Sequence, residues 1–266
     1  MGSRVHGGRD GESTRHAVGM ILVATDFGLE GSYTGEIMGV LARAIDVPSV
    51  MLIADLPPFR PRLAAYHLAA LFERTEAGDV LVGVVDPGVG SERLPLAVEV
   101  DGRWLVGPDN GLFEPIMRRA STVACHAITW RPEQLSTSFH GRDLFAPFAI
   151  RLARGQRDGL RPADPLDCSA WPDDLAAIVH IDRYGNLLTG LRARCLAGIE
   201  SFHAAGRRIE RARTFAERAE GELFFYENSA GLIEIAANCA HAASITGLSV
   251  GDAITLELQV TPQDPI

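Results

Sequence analysis

The chain has 266 residues with 47% hydrophobic and 22% charged residues, ordinary globular usage that excludes a disordered or collagen-like protein. Its formal net charge of −9 comes without any basic run, so neither nucleic acid nor an anionic membrane is an expected partner. No apolar stretch approaches the roughly 20 residues of a membrane helix.

The first segment, MGSRVHGGRDGESTRHAVG, carries charge but no apolar stretch; residues 1–18 read as a disordered leader and the cytoplasm as the default location. From residue 20 the pattern alternates β-branched runs with amphipathic stretches, predicting an α/β domain with a mostly parallel sheet over residues 19–160. Residues 20–25 form the first strand. A helix follows, with Tyr33, Ile37, Val40, Leu41, Ala44 and Ile45 on one side and Asp46 and Pro48 as its stop. Residues 49–54 are the next strand. Pro57, Pro58 and Pro61 make an extended connection to a helix over 63–76, and residues 80–85 read as a buried strand ending at Asp86. In open α/β sheets ligands sit at that carboxyl end.

Asp101-Gly102 signals a hairpin between residues 96–100 and 103–106. A strand over 122–128 and a helix over 143–154, with Pro147 in its first turn, complete the domain. The Pro- and Asp-rich residues 161–175 read as a linker, and the short strands of 176–266 as a small C-terminal β-barrel. Cys125, Cys168, Cys195 and Cys239 form no paired motif and read as mostly buried thiols.

Five polar clusters interrupt the apolar runs: Thr25-Asp-Phe-Gly28, Asp86-Pro-Gly-Val-Gly-Ser-Glu-Arg93, Pro108-Asp-Asn-Gly111, Ser138-Phe-His-Gly-Arg-Asp143 and Asp182-Arg-Tyr-Gly-Asn186. Each alone is an ordinary turn or cap. Together with the late NSAGLIEIAANCAHAA they resemble, in order, the S-adenosylmethionine hydroxide adenosyltransferase family, relatives of fluorinase and chlorinase.

That resemblance implies homotrimers whose active site lies between one subunit's N-terminal domain and its neighbour's C-terminal domain. It implies hydrolysis of S-adenosyl-L-methionine to adenosine and L-methionine with no metal and no other cofactor. The family's catalytic Asp, Arg and His fall on Asp86, Arg93 and His140. The sulfonium leaves as a neutral thioether, so assistance goes to the attacking water. Which member takes the proton stays open at this level. Asp26 falls on the carboxylate that binds the ribose hydroxyls, Asp182 and Ser229 on positions that contact the methionine end, and Asn186 on one facing the adenosine. Glu234 lies toward the adenine side, and Phe59 aligns with a pocket aromatic, core packing being its plainer reading. Gly141 stands where halide-using relatives carry serine, and Asp86 where they have lost the acid. A carboxylate there repels a halide by about 1–4 kcal/mol, which argues against a halogenase.

The sequence also departs from relatives: Met51-Leu-Ile-Ala54 replaces an Asp-x-x-His pattern, Thr34 follows Tyr33, and Ala230 and Ala237 stand at fluorinase arginines. Two other functions are weighed. A non-catalytic adenosine or S-adenosylmethionine sensor would not need the three-residue set. A metal-dependent hydrolase built on Asp26, Asp86, Asp109, His140 and Asp143 has no ligand motif behind it.

Overall fold

The computed structural model describes residues 19–255. Its first half is a seven-stranded sheet with helices against it. In chain order it runs β1 (Ile21–Thr25), α1 (Ser32–Ala42), β2 (Ser49–Ile53), α2 (Pro61–Phe72), β3 (Val80–Val84), β4 (Pro95–Val100), β5 (Arg103–Pro108), α3 (Glu114–Arg119), β6 (Val123–Ile128), a π-helical turn Gly141–Phe145, α4 (Ala146–Ala153) and β7 (Leu160–Pro162). The strand order is β2-β1-β3-β5-β4-β6-β7. From β2 to β5 neighbours run parallel, and from β5 to β7 antiparallel, so the sheet is mixed. The hairpin at Asp101-Gly102 accounts for the switch.

β1 and β3 are buried along their whole length, as continuous apolar runs in the middle of a helix-covered sheet should be. One side packs Ile37 and Leu41 of α1 with Phe148 and Leu152 of α4, and the other packs Leu68 and Phe72 of α2. α1 stops at Ala42, earlier than its apolar spacing suggests, and Ile45 is 96% exposed. α2 starts at Pro61, whose missing N–H costs nothing at a first helical position, and ends at Phe72 rather than 76.

The second half contains β8 (Leu175–Ile181), β9 (Leu187–Arg192), β10 (Ser201–Ala204), β11 (Arg207–Arg211), β12 (Leu223–Glu227), β13 (Leu232–Ala237) and α5 (Ala242–Thr246). These strands form one sheet, β10-β11-β12-β13-β9-β8, curled as a half-barrel around Ile178, Phe202, Phe225 and Ile235. The Phe202 and Phe225 rings lie 4.6 Å apart at its centre. β10 and β11 carry no apolar run of their own and were not expected, and β7 falls at the start of the expected linker. The expected leader and the part of the expected barrel beyond residue 255 lie outside the described residues. The expectation for the thiols is corrected: Cys168 is buried, Cys125 intermediate, and Cys195 and Cys239 exposed, because Cys195 sits in a short 3-10 helix and Cys239 in a turn, both outside the packed strands. Among the described residues no helix is long and apolar enough to cross a membrane.

Candidate functional site

The carboxyl ends of the parallel strands β1 and β3 release Asp26 and Asp86 side by side, and a loop ahead of the π-helical turn brings up His140. These three line a cavity of about 490 Å³ with Phe59 and Gly141. Arg93 stands behind Asp86. Its Nε donates to Asp86 Oδ1 at 2.9 Å, and its Nη2 donates both to Asp86 Oδ2 and, at 3.0 Å, to His140 Nδ1. The Asp86 and Arg93 side chains are only 4% and 9% exposed, so the pair is sheltered from screening. The Phe145 ring lies 5.3 Å beneath the guanidinium and edge-on to His140.

This chain of contacts fixes the proton on His140. A guanidinium only donates, so Nδ1 must accept, and the imidazole N–H is on Nε2. Burial, followed by the Arg93 charge, holds the His140 pKa below the ordinary 6.5, so the ring is neutral near pH 7.

Asp26 is not a helix cap, since α1 begins at Ser32 after Gly31. Its Oδ2 accepts the Phe59 backbone N–H at 3.2 Å, and burial pushes its carboxyl up, with Asp86 adding to the rise. Phe59 stands at the rim of this cavity and does not take the core packing that was its plainer reading. It is 76% exposed with φ of 61°, because the prolines before it force the chain to turn outward. Gly141 faces Phe27 and Phe139, and a Cβ there would come within 3.3 Å of Phe27 Cζ.

The remaining four predicted residues sit elsewhere. Asp182, Asn186, Ser229 and Glu234 line a second cavity of about 1000 Å³ that shares no lining residue with the first. Asp182 ends β8 and closes a turn: Oδ1 accepts the Tyr184 and Asn186 backbone N–H groups, both at 2.9 Å, and Oδ2 accepts Asn186 Nδ2 at 3.0 Å. Gly185 in that turn has φ of +85°, and a Cβ on it would lie 2.2 Å from His241 Cγ. Gly185→Ala is therefore expected to destabilise the fold by about 1–3 kcal/mol and to weaken nucleoside binding, read by urea unfolding and by calorimetry with adenosine.

Glu234, buried on β13, has both oxygens occupied: Tyr226 hydroxyl donates at 2.6 Å and Asn228 Nδ2 at 3.0 Å. Burial raises its carboxyl and the Tyr226 phenol alike. Glu234 thus orients Tyr226 and Asn228, which also line this cavity. Sequence reasoning missed those two, along with Phe27, Tyr33, Phe139 and Tyr184. Tyr184, 77% exposed, sits inside the Asp182–Asn186 cluster, the one signal that pointed to it.

The metal-site carboxylates are spent on other bonds. Asp109 accepts the Leu166 N–H at 2.8 Å, and Asp143 is held by the Arg142 guanidinium. Among the described residues no three His, Cys, Asp or Glu side chains are grouped to hold a metal ion.

Residues 21–159 match the family model described as the SAM hydroxide adenosyltransferase N-terminal domain, and residues 176–255 the corresponding C-terminal domain. The chain is 38% identical over 256 residues to an (R)-S-adenosyl-L-methionine hydrolase of Thermus thermophilus, covering 87% of this chain and 97% of that protein. It is 34% identical over 258 residues to another so named from Salinispora arenicola, covering 91% and 97%. The crystal structure of an uncharacterised conserved protein from Thermotoga maritima superposes with a TM-score of 0.77 at 24% identity, covering 88% of this chain and 98% of that one, a likeness of fold.

Proposed function

Because this chain belongs to the SAM hydroxide adenosyltransferase family, we propose that it hydrolyses S-adenosyl-L-methionine to adenosine and L-methionine, without a metal. The observation that carries this reading is the continuous Asp86–Arg93–His140 contact chain on the wall of the first cavity. The names of the curated relatives specify the (R) epimer at sulfur, and the same epimer is proposed here.

In the proposed reaction the water oxygen attacks ribose C5′ in line with the departing sulfur. The C5′–S bond breaks with its electron pair going to sulfur, which leaves as a neutral thioether. His140 has its proton on Nε2 and donates to the water oxygen, so it orients the nucleophile and is not the base. Asp86 takes the proton: each carboxylate oxygen has a second lone pair beyond the one Arg93 uses. Arg93 fixes both partners in one geometry, and such positioning of a nucleophile can contribute several kcal/mol. The cavity wall also helps by excluding water, which strengthens the attraction between developing hydroxide and sulfonium.

Asp26 is proposed to bind the ribose diol, with Phe59 over the rim. Asp182 and Ser229 are proposed for the methionine end and Asn186 for the adenosine, with Gly141 leaving space at C5′. Since these residues divide between two separate cavities of one chain, a complete site is proposed to form between subunits, in a homotrimer. The enzyme is proposed to work in the cytoplasm. A sensor would need the adenosine pocket alone, and the Asp86–Arg93–His140 chain favours turnover.

The test is incubation of the purified protein with the substrate and chromatography for adenosine and methionine. Equal amounts of both support the reading, and binding without either product contradicts it. The tautomer of His140 adds a pH prediction. Protonating Nδ1 breaks the bond from Arg93, so kcat/KM is expected to fall on the acid side with a midpoint below the ordinary histidine value of 6.5. Replacing Arg93 by leucine removes its charge and should move that limb upward in whatever activity remains; a wild-type limb above the ordinary value contradicts the assignment.

A further inference from the structure

The first cavity contains a feature the three-residue set does not use. Phe27, Tyr33 and Phe139 line it and pack on one another, with ring centroids 5.9, 5.6 and 5.2 Å apart. Tyr33 is more than half exposed although it is packed against two phenylalanines, so its ring faces open space rather than a core. Charged side chains in and just behind the same wall are mainly acidic. Four carboxylates, Asp26, Glu36, Asp86 and Asp143, stand against two guanidinium groups, Arg93 and Arg142. Arg142 is fully engaged by Asp143 and Glu36 and covers Phe139 at 4.9 Å. Arg131, the other cation felt at His140, donates to the Ile128 and Trp130 carbonyls. Among the described residues no cation pairs with Asp26, whose Oδ2 accepts the Phe59 N–H.

An aromatic wall with excess negative charge is a receptor for a weakly hydrated cation, as in sites for quaternary ammonium ligands. Resting on the hydrolase reading, we propose that Phe27, Tyr33 and Phe139 form a sulfonium-selecting wall, so that the site distinguishes the charged substrate from neutral thioethers of the same shape. The reaction itself removes the charge: the sulfonium becomes methionine's thioether, and the wall loses its hold on the product. Tyr33 and Phe27 are then recognition residues that act on substrate affinity and product release, separate from the Asp86–Arg93–His140 set.

The test compares S-adenosyl-L-methionine with S-adenosylhomocysteine, its uncharged demethylated counterpart, by calorimetry. The background is His140→Ala, which removes the donor that orients the water and so slows chemistry below the time of the titration, and keeps every wall charge. The sulfonium is expected to bind about tenfold more tightly than the thioether, and Tyr33→Leu to reduce that ratio about fivefold by weakening the sulfonium alone. Tyr33→Phe, which keeps the ring, should restore it. Adenosine affinity should change by less than about twofold, since adenosine carries no charge. Equal affinity for the two ligands, or a Tyr33→Leu loss shared equally by both, overturns the proposal. Wild-type turnover measured alongside keeps the two readings apart: hydrolysis with no charge preference removes the sulfonium wall alone, whereas charge preference without hydrolysis removes the hydrolase alone.

Discussion

Replacing Asp86 by asparagine lowers kcat by about 10³-fold, roughly 4 kcal/mol in the barrier, while adenosine still binds. The change is nearly isosteric and leaves Arg93 a carbonyl oxygen to donate to, so the fold is preserved. It removes the carboxylate that takes the water proton in the proposed step, a role the imidazole does not share because its lone pair on Nδ1 already faces Arg93. It also leaves Arg93, 9% exposed, without its counter-charge. Both effects act on the transition state more than on nucleoside binding, and rapid-quench turnover beside adenosine calorimetry reads them separately. Near-normal turnover would remove Asp86 from the mechanism.

The second large effect concerns assembly. Asp86→Asn damages the first cavity and Asp182→Ala the second, so each protein alone is expected to be inactive. Mixed trimers contain sites whose first cavity comes from the Asp182 variant and whose second comes from the Asp86 variant. In a cyclic trimer with equal, random mixing about a quarter of all sites are intact, so co-refolded protein should regain about a quarter of wild-type activity. A site built within one chain regains nothing. The two cavities share no lining residue, which is the physical reason to expect recovery.

Much of this was legible in the sequence because the informative pieces are local. A buried apolar run followed by an acid, as at Val84 to Asp86, is enough to place a carboxylate at the end of a parallel strand. The Asp182–Asn186 turn is likewise written in adjacent residues, with glycine where the left-handed backbone occurs. His140 is different: it lies 47 residues from Arg93, and only the family resemblance joined them before the fold did.

What escaped notice were residues whose type suggests the opposite of their role. Phe27, Tyr33 and Phe139 look like core side chains, and no spacing rule distinguishes a ring on a cavity wall from one inside a cluster. For Phe59 core packing is the plainer reading for the same reason, and only the family resemblance points to a pocket. Its exposure follows from a backbone turn after two prolines, which hydrophobicity does not encode. The role of Glu234 stays imprecise in the sequence, since its partners Tyr226 and Asn228 are visible only once β12 and β13 pair with Tyr226 opposite Glu234. β10 and β11 were missed because Arg207–Arg211 has one buried apolar residue and leans on neighbouring strands for its place.

Attack of water on ribose C5′ in a site without a metal is the step on which the proposed reaction rests. It is tested most directly by running the reaction in heavy-oxygen water with an excess of chelator and examining both products by mass spectrometry. Adenosine is expected to carry one heavy oxygen, at the 5′-hydroxyl, and methionine none, at a rate unchanged by the chelator. Unlabelled adenosine, label in methionine, or a rate abolished by the chelator and restored by a divalent cation would contradict it.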